Sequence, residues 1–189
     1  VAIVNPIFEQ PTNRFLKKTE LNYDKMVSNY PSWYRLTYEI SDSRSASTIV
    51  EGTLKLALGK KIQQIIEQFQ PDAILNTNQM FNAPTGAALT ELKIKLPFYT
   101  VVTDLADVQS MWFNSDPDLF FVASEVVKSK AISSGIPKED ILITGIPVDP
   151  AFSLIQESKY NLRCSLGLDP SLTTLLIVGS QRVKGIYSY

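Results

Sequence analysis

Phe98-Tyr99-Thr100-Val101-Val102-Thr103-Asp104 decides how the rest of the chain is read. A proline precedes this run, and the run ends in a hydroxyl and a carboxylate. Aromatic and β-branched residues in so short a stretch, bounded in this way, read as a buried strand. Three other runs share the form. Asp72-Ala73-Ile74-Leu75 opens into Asn76-Thr77-Asn78, and Leu119–Ala123 opens into Ser124-Glu125. Ile141-Leu142-Ile143 opens into Thr144-Gly145-Ile146-Pro147. Helical signals lie between them. Pro84 suits the first turn of a helix over Thr85–Lys93. Ser124 caps a second helix through Ser134, which Gly135 and Pro137 stop. Strands separated by helices imply parallel order and right-handed crossovers. Ligands bind outside the carboxyl ends of such sheets, so the polar ends are expected side by side as one binding edge.

Upstream, Val50, Leu54, Leu58, Ile62, Ile65, Ile66 and Phe69 follow helical spacing over Thr48–Phe69. Residues 8–47 are rich in aromatics and broken by Pro11 and Pro31, with short helices expected over Leu21–Ser28 and Ser32–Glu39. Val1-Ala2-Ile3-Val4 is strand-like. Downstream, Pro147 and Pro150 mark a domain exit, Tyr160–Leu166 a short helix, and Thr173–Val178 the first strand of something new. The chain therefore reads as α/β, with a Rossmann-like parallel sheet truncated at both ends. Residues 1–148 form one domain; residues 149–189 form a linker and the first strand of a second.

Composition narrows the function. With 44% hydrophobic and 20% charged residues the chain is ordinary globular protein. A net charge of −1 argues against a nucleic-acid partner. The absence of histidine removes the commonest general base and zinc ligand, and no metal site is expected. A single cysteine, Cys164, rules out an internal disulfide and fits a reducing, cytoplasmic compartment. No apolar run approaches the roughly 20 residues that span a bilayer.

Each polar candidate has two readings. Asp104, directly after its strand, can accept a hydrogen bond from a hydroxyl or act as a base. Alone, it reads more simply as a turn or capping residue. Trp112 and Phe113, in the loop Leu105–Asp116, suit contact with a ligand or lipid equally as well as closure over the sheet edge as core. Asn76 and Asn78 suit sugar hydroxyls, and are also ordinary turn residues. Ser124 reads as a helix cap rather than a nucleophile, since no histidine or Gly-x-Ser-x-Gly elbow accompanies it. Gly179 and Ser180 follow a strand and can border a pyrophosphate or make a plain turn; the full Gly-x-Gly-x-x-Gly fingerprint is absent. Arg14, Lys17 and Lys18 among aromatics suit an anionic membrane surface or a solvated face.

Taken together, Thr100-Val101-Val102-Thr103-Asp104-Leu105, Met111-Trp112-Phe113, Asp116-Pro117-Asp118, Phe121–Glu125 and Gly145-Ile146-Pro147-Val148 resemble the monogalactosyldiacylglycerol synthase and processive diacylglycerol glucosyltransferase family. Asn5–Phe8, Ser32–Tyr38 and Gln70–Ile74 are similar to it in order and spacing. The resemblance implies a MurG-like GT-B fold, whose N-terminal domain takes the acceptor and the membrane and whose C-terminal domain binds a UDP-sugar. It implies transfer of a hexose to diacylglycerol without a metal or other cofactor, by a peripherally membrane-associated enzyme. It implies an acceptor-side place for Asp104 and Trp112, with Asp104 the candidate catalytic group. It places Phe113, Asn76 and Asn78 near the acceptor and Gly179 and Ser180 beside the donor. The family opens with a strand, a glycine-rich loop and a histidine near the acceptor; this chain is expected to start after that point and holds no histidine, and the family's donor loop is richer in glycine. Two other readings stand beside this one: a UDP-N-acetylglucosamine 2-epimerase-like enzyme, and a non-enzymatic α/β regulatory domain with Asp104 as its modified residue.

Overall fold

The computed structural model describes residues 1–7, 44–114 and 116–176. Within them the chain divides into two compact units, Val1–Ile146 and a second that begins at Pro147.

The first unit is an open sheet of four parallel strands in the order β1-β2-β3-β4. The strands are β1 (Ile74–Asn76), β2 (Phe98–Val101), β3 (Leu119–Val122) and β4 (Ile141–Ile143). Pairing sets Ile74 beside Phe98, Thr100 beside Phe120, and Phe120 beside Ile141. Two bonds tie the amino ends of β2 and β3. Asp118 N–H donates to the Phe98 carbonyl at 2.7 Å, and Phe98 N–H donates to Asp118 Oδ2 at 2.8 Å.

Three helices accompany the sheet. α1 runs Arg44–Phe69 and starts four residues before the expected first residue, Thr48. Leu54, Leu58, Ile62 and Ile66 form its buried stripe, and fully burying each such side chain stabilises by about 1.5–3 kcal/mol. α2 runs Asn82–Leu92, so Pro84 falls within its first turn, where its missing N–H leaves no bond unmade. α3 runs Glu125–Ser133, capped by Ser124 Oγ, which accepts from Val127 N–H. Gly135 follows it at φ 98, a left-handed conformation that favours glycine.

Strands that advance in one direction through right-handed crossovers have all their connections on one face. Burial agrees. Phe98, Thr100, Phe120, Val122 and Ile141, which share that face, are buried. One core joins Val102, Phe120 and Val122 to α3 and to the loop residues Trp112 and Phe113. A second joins α1 to α2, Ile7 and Met111. On the opposite face Leu75 is 60% and Leu142 47% exposed, and Tyr99 meets Phe121 edge to face at 6.2 Å.

Two expected strands do not form. Val1–Val4 pairs with nothing among the described residues, and Val1 and Ile3 are exposed. Residues 173–176 are likewise irregular; residues 177–189 lie outside the described residues. So do residues 8–43, with their two expected short helices.

The second unit has a single-turn helix at Pro150–Ser153 and α4 at Lys159–Ser165. Asp149 and Ser158 cap them, and Arg163 Nη1 donates to the Pro170 carbonyl at 3.0 Å. No residue of 147–176 is buried; Phe152, Leu154 and Leu166 are all exposed.

Candidate functional site

Asp104 lies three residues beyond the last residue of β2 and is partly exposed. The strand's hydrogen-bond ladder continues one residue past Val101, since Val102 N–H donates to the Phe121 carbonyl at 2.8 Å. The carboxylate is fixed on one side. Trp112 Nε1–H donates to Asp104 Oδ2 at 2.8 Å. The next residue is fixed too, because Ser124 Oγ–H donates to the Leu105 carbonyl at 2.7 Å. Asp104 Oδ1 has no protein partner among the described residues. A carboxylate anchored through one oxygen presents the other in a set direction, and that oxygen can accept a hydrogen bond from a hydroxyl.

Both rings of the Trp-Phe loop are buried. Trp112 is 3% and Phe113 6% exposed, and Phe113 packs against Phe120 at 6.0 Å between ring centroids. The loop turns inward at a short helix, Ser110–Trp112, that returns both rings to the sheet. Trp112 thus faces the core with its ring and Asp104 with its one donor.

Asn76 and Asn78 are engaged in structure. Asn78 caps the turn Gln79–Phe81, its Oδ1 accepting from Met80 N–H at 3.0 Å, while Asn76 Oδ1 accepts from Asn78 N–H at 3.1 Å. Asn76 is buried, and its Nδ2 donates to the Asn78 carbonyl and to Asn82 Oδ1. Asn82 and Thr100, which the sequence did not single out, complete a buried polar cluster. Thr100 Oγ1–H donates to Asn82 Oδ1 at 2.8 Å, and Asn82 Nδ2 donates to the Trp112 carbonyl at 2.9 Å. A polar residue at the first position of a helix reads as surface, so nothing local in the sequence marks Asn82 as buried. A second tie runs parallel, from Gln79 Nε2 to Gln109 Oε1 at 2.6 Å. The structure therefore brings Asn76, Asn78, Trp112 and Asp104 together through these bonds, while Ser124 joins from the start of α3. Arg14, Lys17, Lys18, Gly179 and Ser180 lie outside the described residues.

Two further carboxyls are perturbed. Burial pushes Asp116 up from its ordinary value, with Lys55 opposing. Burial also raises Glu51; Lys55 opposes this and Asp116 adds to it. The Asp116 side chain lies against the backbone of Gly86 in α2 so closely that a Cβ there would stand 2.3 Å from its Cγ. A shallow groove lined by Thr90, Lys93, Lys95 and Asp116 opens at the amino ends of β2 and β3, opposite the Asp104 edge. Among the described residues no group of three or more acidic or cysteine side chains is arranged to hold a metal ion, and no helix is long and apolar enough to cross a membrane.

Comparison with known proteins agrees with this architecture. Residues 5–148 match the family described as monogalactosyldiacylglycerol (MGDG) synthase. The chain is 26% identical over 172 residues to a probable monogalactosyldiacylglycerol synthase 3, chloroplastic, of Oryza sativa subsp. japonica, covering 90% of this chain and 34% of that protein. It is 28% identical over 183 residues to the processive diacylglycerol beta-glucosyltransferase of Bacillus subtilis (strain 168), covering 93% and 44%. It is 32% identical over 108 residues to the enzyme of the same name from Bacillus mycoides (strain KBAB4), covering 54% and 27%. The chain spans less than half the length of each of these relatives. Neither the epimerase reading nor the regulatory-domain reading gains support from these matches. The parallel sheet, its polar carboxyl edge and the match over residues 5–148 agree, and the chain belongs to the monogalactosyldiacylglycerol synthase family.

Proposed function

We propose that this chain is the acceptor-side part of a glycosyltransferase that moves a hexose from a UDP-sugar to the hydroxyl of a lipid such as diacylglycerol. One observation carries the reading within the family. Asp104 presents a carboxylate oxygen with no partner among the described residues at the carboxyl end of a central strand, while its other oxygen is held by Trp112. An inverting displacement needs a group that accepts the acceptor's proton or orients its hydroxyl. We assign Asp104 that place. Asn76, Asn78, Trp112 and Phe113 support the edge from behind. Gly179 and Ser180 would border the donor phosphates, and no cofactor is required beyond the donor substrate. Arg14, Lys17 and Lys18 would meet an anionic membrane surface, making the enzyme a peripheral one on the cytoplasmic side. Residues 1–148 would form the acceptor domain and 149–189 the passage into the donor domain.

Catalysis needs donor and acceptor positioned together, so this chain alone is expected not to turn over UDP-hexose. Binding is the test suited to it. Co-flotation with phosphatidylcholine vesicles should rise when diacylglycerol is included. Asp104→Ala should weaken the diacylglycerol-dependent part about tenfold, the order expected for one hydrogen bond to a charged group. Equal flotation with and without diacylglycerol, or turnover by the chain alone, would overturn the assignment.

A further inference from the structure

Asp104 is reached from a residue entirely withdrawn from solvent. Asn82 is the first residue of α2 and is 0% exposed. Its side chain is used at both ends. Oδ1 accepts from Thr100 Oγ1 and Asn76 Nδ2, and Nδ2 donates to the Trp112 carbonyl. A buried polar atom left without its partner carries the full desolvation penalty, so this amide has one favourable orientation. Its oxygen faces two donors and its nitrogen faces the carbonyl. That carbonyl belongs to the last residue of the Ser110–Trp112 turn. Where it is held, the indole N–H falls on Asp104 Oδ2, and Oδ1 has no partner among the described residues.

We propose that Asn82 is a positioning residue for the Asp104 carboxylate, acting through Trp112. The proposal rests on the acceptor-side reading of Asp104 for its role in the reaction; the geometry itself does not. A shift of the Ser110–Trp112 turn by even an ångström would swing the indole donor off Oδ2 and release the carboxylate. Misplacement on that scale is enough to cost orders of magnitude in rate.

The test reads the indole proton directly. In the full chain labelled with nitrogen-15, the Nε1–H signal of Trp112 is identified by its loss in Trp112→Phe, since the chain holds two tryptophans. Asp104→Ala defines the position of that signal when its acceptor is gone. Asn82→Asp is isosteric. It preserves an oxygen toward Thr100 and Asn76 but turns an oxygen against the Trp112 carbonyl. It should displace the indole signal most of the way to the Asp104→Ala position. Thr100→Val removes a bond to the same amide without touching its link to Trp112, and should leave the signal in place. Where Asn82→Asp does not fold, Asn82→Ser is read in the same way.

The proposal is overturned by an unmoved signal in either folded Asn82 variant, or by an equal displacement in Thr100→Val. It is also overturned by an unaltered chain whose indole signal already coincides with that of Asp104→Ala. An indole that moves as expected, beside vesicle binding indifferent to Asp104→Ala, would support the positioning and remove the acceptor reading.

Discussion

The two halves of the sheet's carboxyl edge begin from the same sequence form and end as different constructions. Beyond β1 and β2, polar side chains turn inward. Asn76, Asn82 and Thr100 are buried and joined, and through Trp112 they reach Asp104. Beyond β3 and β4, polar side chains bond to backbone atoms. Ser124 caps α3 and holds the Leu105 carbonyl, and among the described residues the exposed Thr144 hydroxyl meets only the neighbouring Gly145 carbonyl. What separates the halves is the segment that follows each strand. The loop after β2 folds back over the edge and encloses its polar groups; the helix after β3 leads away from the edge. Enclosure turns hydrogen bonds that would compete with water into ones that hold a single arrangement.

The largest effect should come from removing the piece that encloses the first half. Trp112→Ala empties a buried ring site and frees Asp104, and should destabilise the chain by about 3–5 kcal/mol in urea unfolding. A loss below about 1 kcal/mol would show that the loop does not close the edge in solution. Gly86→Ala attacks the same half from below. The new methyl would meet Asp116 Cγ at 2.3 Å and Cβ at 2.4 Å, atoms too near the backbone to yield by rotation alone. The loop carrying Trp112 must shift, at a cost of about 1–3 kcal/mol. Ser124→Ala tests the second half, where one cap is lost in the open and about 1 kcal/mol is expected. Should Ser124→Ala prove as costly as Trp112→Ala, the contrast between the halves would fail.

The smallest effect concerns pH. Burial raises the Asp116 and Glu51 carboxyls above 3.8 and 4.5, so the folded chain holds these protons more tightly than the unfolded one. The stability this contributes is fully present below those ordinary values and is lost as pH rises through the raised ones. Asp116→Asn cannot lose it. The unfolding midpoint of Asp116→Asn relative to the unaltered chain should therefore climb as pH rises through that window. A difference that stays flat, or falls, would contradict the partial burial of Asp116 against α2.

The four strands were legible because each is a short apolar run with a polar end, and parallel order followed from the helices between them. Val1–Val4 has the same apolar character but pairs with nothing among the described residues; strand propensity alone does not supply a partner. The start of α2 was placed three residues late, because Pro84 was read near the helix's beginning while Asn82 opens it. The candidate site was legible at Asp104 and only in outline elsewhere. Asn76 and Trp112 could be named, but not their coupling, since Asn82 meets Trp112 across 30 residues of sequence. Gly86 was silent for the same reason: its requirement comes from Asp116, which only the folded loop brings near.

The strand order has a last consequence. Sheets of this class open their ligand crevice where successive connections reverse direction and pass to opposite faces. Between β1 and β4 the order advances without a reversal, so no such parting lies between any two of these strands. It can open only at an outer margin. The margin at β1 ends in Asn76, one hydrogen bond from the amide that steadies the Asp104 edge. The margin at β4 ends beside the exposed Thr144, which has no such backing. The winding of the chain makes its two flanks unequal, and the stiffened flank is the one able to serve as a fixed wall against which something else can close.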